Sequence, residues 1–301
     1  MLCGTLIGMT GRRRICPGGG VALSEWEVAL NLGKLQFGMP TLIETDSPED
    51  TMRLCRELGL AFVELNMNLP QYQAEGLEDA SYLKSLQQKY RVGYTIHLDE
   101  NLNVCDFNQA VAAAYTETAE RAVRAAKAIG ASVLNMHMNH GVYFTLPDRK
   151  VYLFERYFEQ YMRSWKNFRT VCEQAAEGSD IIICIENTDG YTEYEKEAIE
   201  FLLESRVFGL TWDIGHSHGV GNVDEAFIMA HRDKLHHFHI HDGLGRKNHM
   251  TLGTGEIDLK QRLQIAEECG CRCVVETKTA DALRESMDWL AARGYTASQH
   301  T

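Results

Sequence analysis

The chain has 301 residues, of which 45% are hydrophobic, and a formal net charge of −12. This length and composition are those of a globular protein with a large core, and α/β barrels reach this size as one domain. The acidic balance disfavours broad binding to nucleic acids or to anionic membranes, since both require a basic surface. The sequence also lacks the run of about 18 apolar residues that a membrane span requires.

Residues 1–35 differ in composition from the rest of the chain. They carry an arginine run at 12–14 and a glycine run at 18–20. The apolar stretch before these runs is too short for a secretory signal, in which basic residues come first. We therefore expect a weakly ordered extension at 1–35 and a single domain at 36–301. The nine cysteines are scattered, several within apolar runs, which predicts reduced, buried thiols in a cytoplasmic protein.

From about Gln36 the chain repeats a short apolar run followed by a helical segment. Apolar runs predict strands at 37–43, 61–66, 92–98, 132–138, 181–187, 207–213, 236–241 and 271–277. Helices are predicted at 47–58, 79–90, 107–129, 152–176, 193–204, 223–233, 259–269 and 281–292. Eight strand–helix units predict a closed parallel (β/α)₈ TIM barrel.

Polar residues of metal-ligand type follow most of these apolar runs. They are Glu64, Asn66, His97, His137, Glu186, Asp213, His216, His239 and Glu276. In a barrel these strand ends meet at one face. One polar strand end usually just meets water, but converging Glu, Asp and His residues would repel one another unless a cation lay among them.

Eight of the twelve histidines lie between positions 216 and 249. We interpret four of them, His218, His231, His236 and His237, as ordinary surface or core residues. Asp213, His216 and His239 are instead interpreted as candidate ligands for a divalent metal, because other strand ends supply partners at equivalent places.

Several motifs resemble the xylose-isomerase-like barrels, over about residues 37–290. These motifs are I-E-N at 185–187, W-D-x-G-H at 212–216, H-x-H-D at 239–242, H-x-x-L-G-x-G-x-I-D at 249–258 and V-E-T at 275–277. The resemblance implies a single divalent metal held by Glu186, Asp213, His239 and Glu276. In the endonuclease IV branch further metals are bound, and the matching positions are His97, His137, His216 and His249. That branch has an aspartate where this chain has Lys247, which opposes a third metal.

The favoured function is a metal-dependent sugar or sugar-phosphate isomerase or epimerase. Glu186 and Glu276 would transfer the proton through a metal-stabilised enediolate. The carboxylate-rich ligand set favours Mn²⁺, Mg²⁺ or Co²⁺, with Zn²⁺ left open. The remaining histidines would bind substrate oxygens or a second metal, and Glu64 and Asn66 would bind substrate hydroxyls or cap their strand.

Three alternatives use the same residues. They are an endonuclease IV-like phosphodiesterase acting on abasic DNA, an inosose-type dehydratase, and a barrel that only binds a sugar. We favour a small carbohydrate as the partner, without nucleic acid or membrane, and leave a homo-oligomer open. Sequence does not separate these chemistries, because substrate loops decide them and the fold does not.

Overall fold

The computed structural model describes residues 35–296. The predicted extension, apart from Leu35, therefore lies outside the described residues. Twelve strands occur within the described part of the chain. They are Gln36–Pro40 (β1), Phe62–Asn66 (β2), Gly93–His97 (β3), Val133–His137 (β4), Tyr143–Thr145 (β5), Lys150–Tyr152 (β6), Ile182–Glu186 (β7), Phe208–Asp213 (β8), Leu235–Ile240 (β9), Asp242–Leu244 (β10), Lys247–Met250 (β11) and Arg272–Val275 (β12).

Eight of these strands close into a parallel barrel. Its order is β1-β12-β9-β8-β7-β4-β3-β2, and β2 pairs with β1 to complete the ring. The predicted (β/α)₈ barrel is confirmed. The other four strands form two antiparallel hairpins, β5–β6 and β10–β11, which follow the barrel strands β4 and β9.

The helices largely begin and end at the residues that the capping signals indicate. The side chain of Ser47 accepts a hydrogen bond from the amide of Asp50 at 3.1 Å, and Gly130 ends a long helix with φ 76°. The α-helices are Pro48–Glu57, Ala74–Leu77, Ala80–Tyr90, Gln109–Ile129, Leu153–Arg156, Phe158–Ala175, Glu193–Leu203, Ile214–Gly219, Glu225–Ala230, Leu259–Cys269 and Ala280–Ala291, with 3₁₀ turns at Pro70–Tyr72 and Arg232–Lys234.

Two helix predictions were wrong in extent. The helix predicted at 152–176 is broken at Tyr157, whose backbone is not helical, and Tyr152 instead pairs with Tyr143 in the β5–β6 hairpin. The helix predicted at 223–233 is reduced to Glu225–Ala230. An additional helix, Ile214–Gly219, begins directly after β8, and it positions part of the site described below.

The core lies inside the barrel and between the barrel and its helices. Trp212 is fully buried outside the barrel, where the guanidinium of Arg262 lies 4.5 Å from its ring centroid. Its Nε1 donates to Ser217 Oγ at 2.9 Å. The seven cysteines of residues 35–296 are free thiols. Within the same residues no helix is long and apolar enough to cross a membrane.

Candidate metal centre

Four strand ends bring three carboxylates and one imidazole together at the carboxyl end of the barrel. Glu186, Asp213, His239 and Glu276 each offer one ligand atom, and these atoms all lie within 4.8 Å of one another. Donors on opposite sides of a divalent cation, with bonds of about 2.1 Å, are separated by roughly 4 Å. The four residues that the motifs single out therefore lie close enough to share one ion.

Asp213 combines two tasks because it ends β8 and begins the next helix. Its Oδ1 accepts the amide of His216 at 2.6 Å, which caps the helix Ile214–Gly219. This capping contact explains the D-x-x-H spacing, since an N-cap side chain accepts the amide three residues later. Although burial alone would raise the pKa of Asp213, the neighbouring His241 and His216 hold it below its ordinary value.

Asn187 holds Asp213 in place from the adjacent strand end. Its Oδ1 accepts the amide of Asp213 at 2.9 Å, and its Nδ2 donates to the carbonyl of the same residue at 2.9 Å. The same Nδ2 lies 3.2 Å from Ser217 Oγ. The asparagine of the I-E-N motif is thus fully buried, and its side chain binds the backbone of Asp213 and is not a ligand.

His239 lies at the centre of the cluster. Its Nδ1 lies 3.1 Å from Glu186 Oε1 and 3.2 Å from Glu276 Oε2. Burial alone would lower the pKa of His239, but the carboxylates of Glu186, Glu64 and Glu276 hold it well above its usual range. The same contacts act in reverse on Glu276, whose pKa lies well below its ordinary value despite burial. The three carboxylates outnumber the one imidazole, so the cluster holds a net negative charge that a cation could balance.

The second oxygen of Glu186 faces two further histidines. Glu186 Oε2 lies 3.4 Å from Nε2 of His97 and 3.2 Å from Nε2 of His137, and it also accepts a hydrogen bond from the side-chain Nδ2 of Asn135. The structure therefore places His97 and His137 on one side of the quartet. Burial opposes the charge on His97, but Glu186 nevertheless raises the pKa of His97 to about 9.

His216, His241 and His249 form a second group, at the other side of the quartet. Their ring nitrogens also lie within 4.8 Å of one another. His241, however, already uses both nitrogens, since Nδ1 accepts the amide of His249 at 2.8 Å and Nε2 lies 3.1 Å from the Asp213 carboxylate. Its Nε2 must then carry the proton and donate to Asp213. His241 thus orients a candidate ligand, a role that the sequence pattern alone did not reveal.

Two positions of the motifs must be glycine, because a neighbouring group lies too close to the backbone for a side chain to fit. A Cβ atom on Gly215 would lie 1.9 Å from the ring of His241, and one on Gly255 would lie 2.2 Å from the carbonyl oxygen of Gly243. Asp242, which is buried, accepts the amides of four residues that close this loop: Gly243, Gly253, Gly255 and Ile257. The H-x-H-D and G-x-G motifs therefore build the loop that carries His249.

The structure separates Glu64 from Asn66. Asn66 is partly exposed and lines a cavity of about 240 Å³ together with Thr41, Glu276 and Lys278. Glu64 is only 2% exposed and lies inside the barrel beneath His239. Lys278 Nζ lies 3.2 Å from Glu276 Oε1, so the positively charged ammonium group of a lysine also borders the cavity.

The donor set suits a divalent cation. Three ionised carboxylates and one imidazole are ligand types of Mn²⁺, Co²⁺, Mg²⁺ and Zn²⁺ sites. Glu276 Oε2 is buried and lies 3.2 Å from Nδ1 of His239, but it makes no hydrogen bond of good geometry, which is costly unless another group binds it. The metal's identity does not follow from these residues.

The fold is a (β/α)₈ barrel, and the cluster at its carboxyl face consists of residues that could hold a metal ion. Residues 52–293 match the sequence model of the xylose isomerase-like TIM barrels, and the chain belongs to that family. The resemblance inferred from the motifs is thereby confirmed.

Individual relatives are more distant. An uncharacterized protein of Methanocaldococcus jannaschii is 27% identical over 206 residues, which cover 64% of this chain and 66% of that protein. The chain thus spans slightly under two thirds of that relative's length.

Solved structures with the same fold include an epimerase-like protein, an epimerase and a protein with a bound zinc atom. A D-tagatose 3-epimerase-like protein has a TM-score of 0.68 and 22% identity, covering 87% of this chain and 97% of its own. The 3-keto-D-glucoside 4-epimerase of E. coli has a TM-score of 0.69 and 15% identity, covering 86% and 100%. The IOLI protein, solved with a zinc atom, has a TM-score of 0.67 and 16% identity, covering 88% and 100%. At these identities the likeness establishes the fold alone.

Proposed function

We propose that this protein is a divalent-metal-dependent isomerase or epimerase of a sugar or sugar phosphate, acting in the cytoplasm. The observation that carries the proposal is the convergence of Glu186, Asp213, His239 and Glu276 at the carboxyl end of the barrel. Active sites of TIM barrels lie at this face. The epimerases among the structural neighbours support the same class of substrate.

Glu186 and Glu276 are the proposed proton-transfer groups. Both approach Nδ1 of His239, at 3.1 and 3.2 Å, so the two carboxylates border one small volume. A divalent cation bound there supplies Lewis-acid stabilisation of charge on adjacent substrate oxygens. One ionised carboxylate removes a proton from the carbon beside the carbonyl; for an isomerisation the same carboxylate returns it to the neighbouring carbon, and for an epimerisation the opposite carboxylate returns a proton that it has taken from solvent. Both have pKa values well below their ordinary range, so both are ionised at neutral pH and able to accept.

The remaining residues are proposed to bind and orient the substrate. His216 and His249 are each partly exposed beside the quartet. Burial lowers the pKa of His249 to about 4, so its ring is neutral near pH 7 and can either donate to or accept from a hydroxyl. Asn66 offers an amide within the neighbouring cavity, whose volume of about 240 Å³ suits a small polyol.

The test combines metal analysis with solvent exchange. Wild-type protein loaded with Mn²⁺ or Co²⁺ should incorporate solvent deuterium into a small ketose or ketose phosphate. Glu186→Gln and Asp213→Asn should lower the metal content and abolish exchange while circular dichroism stays unchanged, because both substitutions keep the shape of the buried side chain and remove its charge. Full metal content in both variants would disprove the assignment of the site.

A second candidate is supported by the two histidines on the far side of Glu186. His97 and His137 lie 3.4 and 3.2 Å from Glu186 Oε2, where a second cation could be shared as in a metal-dependent phosphodiesterase. Lys247, which is exposed, disfavours a third cation nearby through repulsion. Two or three metals per chain, together with efficient nicking of abasic duplex DNA, would replace the isomerase proposal with this one.

A further inference from the structure

We propose that Glu64 is a positioning residue that fixes the ring of His239 with Nδ1 facing the other three candidate ligands. This inference rests on the proposed metal centre. It concerns a carboxylate that does not belong to the quartet itself. Glu64 Oε1 lies 2.7 Å from Nε2 of His239, on the side of the ring opposite to Glu186 and Glu276.

The proton on His239 follows from these two sets of contacts. The two groups are not aligned as a hydrogen bond, but a bare ring nitrogen 2.7 Å from an ionised carboxylate oxygen would set two lone pairs against each other, so Glu64 favours a proton on Nε2. A nitrogen that binds a metal must be bare, and in a neutral ring with the proton on Nε2 that nitrogen is Nδ1. Glu64 therefore selects the one neutral tautomer that can ligate toward the quartet. A carboxylate behind a ligating histidine also raises the basicity of the ring and holds its orientation.

Glu64 is itself held so that it cannot turn away. Its Oε2 accepts Thr95 Oγ1 at 3.0 Å and lies 2.9 Å from Nε2 of His237. All four residues of this group, including His239, are between 0 and 2% exposed. A carboxylate enclosed in this way does not reach a substrate in the open cavity, so we reassign Glu64 from hydroxyl binding to support of His239.

The strand register explains why these residues meet. Between β8 and β9 the pairing shifts after Leu210, so that Thr211 pairs with His237 and Asp213 with His239. His237 and His239, two residues apart, therefore both face the barrel interior. Glu64 lies on β2, where it pairs with Thr95 of β3, and closure of the barrel brings it to the two histidines.

The test measures metal binding directly, without relying on activity. Glu64→Gln keeps the shape of the side chain and removes its charge. The apo proteins are titrated with Mn²⁺ or Co²⁺ alone, and the visible spectrum of the Co²⁺ form reports the ligand geometry. We expect about 10–100-fold weaker binding and an altered Co²⁺ spectrum, which is the usual effect of losing such a partner.

Two further variants keep the proposal falsifiable. Thr95→Val is the matched control, because it removes a hydrogen bond to Glu64 Oε2 and leaves Oε1 on His239, so affinity should change by less than about threefold. If Glu64→Gln does not fold, Glu64→Asp retains the buried charge and withdraws the carboxylate from His239, and it should also weaken Co²⁺ binding.

The outcomes separate this inference from the metal centre itself. The role of Glu64 would be overturned if Glu64→Gln kept wild-type affinity and an unchanged Co²⁺ spectrum while Asp213→Asn lost the metal. If only Glu64→Asp folds, the same result in that variant would overturn it. An equal loss in Thr95→Val would also overturn it, since general loosening of the interior would then explain the effect. If Asp213→Asn binds metal normally, the proposed centre fails instead.

Discussion

Gly215 lies so close to His241 that no side chain fits between them. In Gly215→Ala the new Cβ atom would lie 1.9 Å from Cε1 and 2.2 Å from Nδ1 of the His241 ring. Carbon atoms in contact are normally about 3.5–4.0 Å apart, so the ring must move by roughly 1.5–2 Å. His241 is fully buried and bonded to Asp213 and to the amide of His249, and a shift of that size breaks these bonds.

The expected cost follows from these contacts. Forcing a methyl group into a packed interior costs about 1–3 kcal/mol. Each buried hydrogen-bonding group left without a partner costs about 1–3 kcal/mol more. We therefore expect Gly215→Ala to lower the free energy of unfolding by roughly 2–5 kcal/mol. Affinity for Mn²⁺ or Co²⁺ should fall by about tenfold or more, since Asp213 loses the donor that orients it.

Gly219→Ala is the matched control, because Gly219 ends the same short helix and a Cβ atom there would meet nothing within 4 Å. Its stability should stay within about 1 kcal/mol of wild type, or improve, since alanine favours a helix over glycine. Urea unfolding and metal titration measure both variants. Wild-type stability and affinity in Gly215→Ala would refute the reasoning about His241.

Two other predictions concern the loops around the site. Hydrogen bonding to Glu195 raises the pKa of His140 to about 9 despite burial, and a hydrogen bond to Asp189 adds to the effect. The charge on His140 therefore stabilises the fold fully below pH 6.5, and this stabilisation is lost as the pH rises through 9. In urea unfolding at pH 6, wild type should be about 1–2 kcal/mol more stable than His140→Gln, after allowance for solvent screening. At pH 9.5 the two proteins should be nearly equally stable, and a difference that stays constant between the two pH values would contradict the prediction. Asp242→Asn places a donor where buried amides need an acceptor, and it should lower the free energy of unfolding by about 2–4 kcal/mol in the same assay. Asp258→Asn is the control and should leave stability nearly unchanged, because asparagine caps a helix as well as aspartate does. Equal losses in these two variants would contradict the role assigned to Asp242.

The candidate site was predictable from sequence where residues end strands. Glu186, Asp213 and Glu276 follow apolar runs, and parallel strands of a barrel bring such ends together whatever the loops do. The supporting residues were not predictable in the same way. His237 was interpreted as an ordinary surface or core residue, and it is a buried core residue, but the sequence did not show that its partner there is Glu64, which was interpreted as a substrate contact or a strand cap.

The sequence by itself determined the eight strand–helix units and the helix caps, because these depend on local periodicity and on hydrogen bonds between residues a few positions apart. It did not determine the β5–β6 hairpin, where Tyr152 pairs with Tyr143 and leaves the helix that its neighbours predict. Only the tertiary structure decided which polar groups face each other. Glu64 and His237 are 173 positions apart, and they meet because of the register shift between β8 and β9 and the closure of the ring. Alternation along a strand tells which side a residue faces, but the level at which it meets a distant strand is set by packing of the whole barrel.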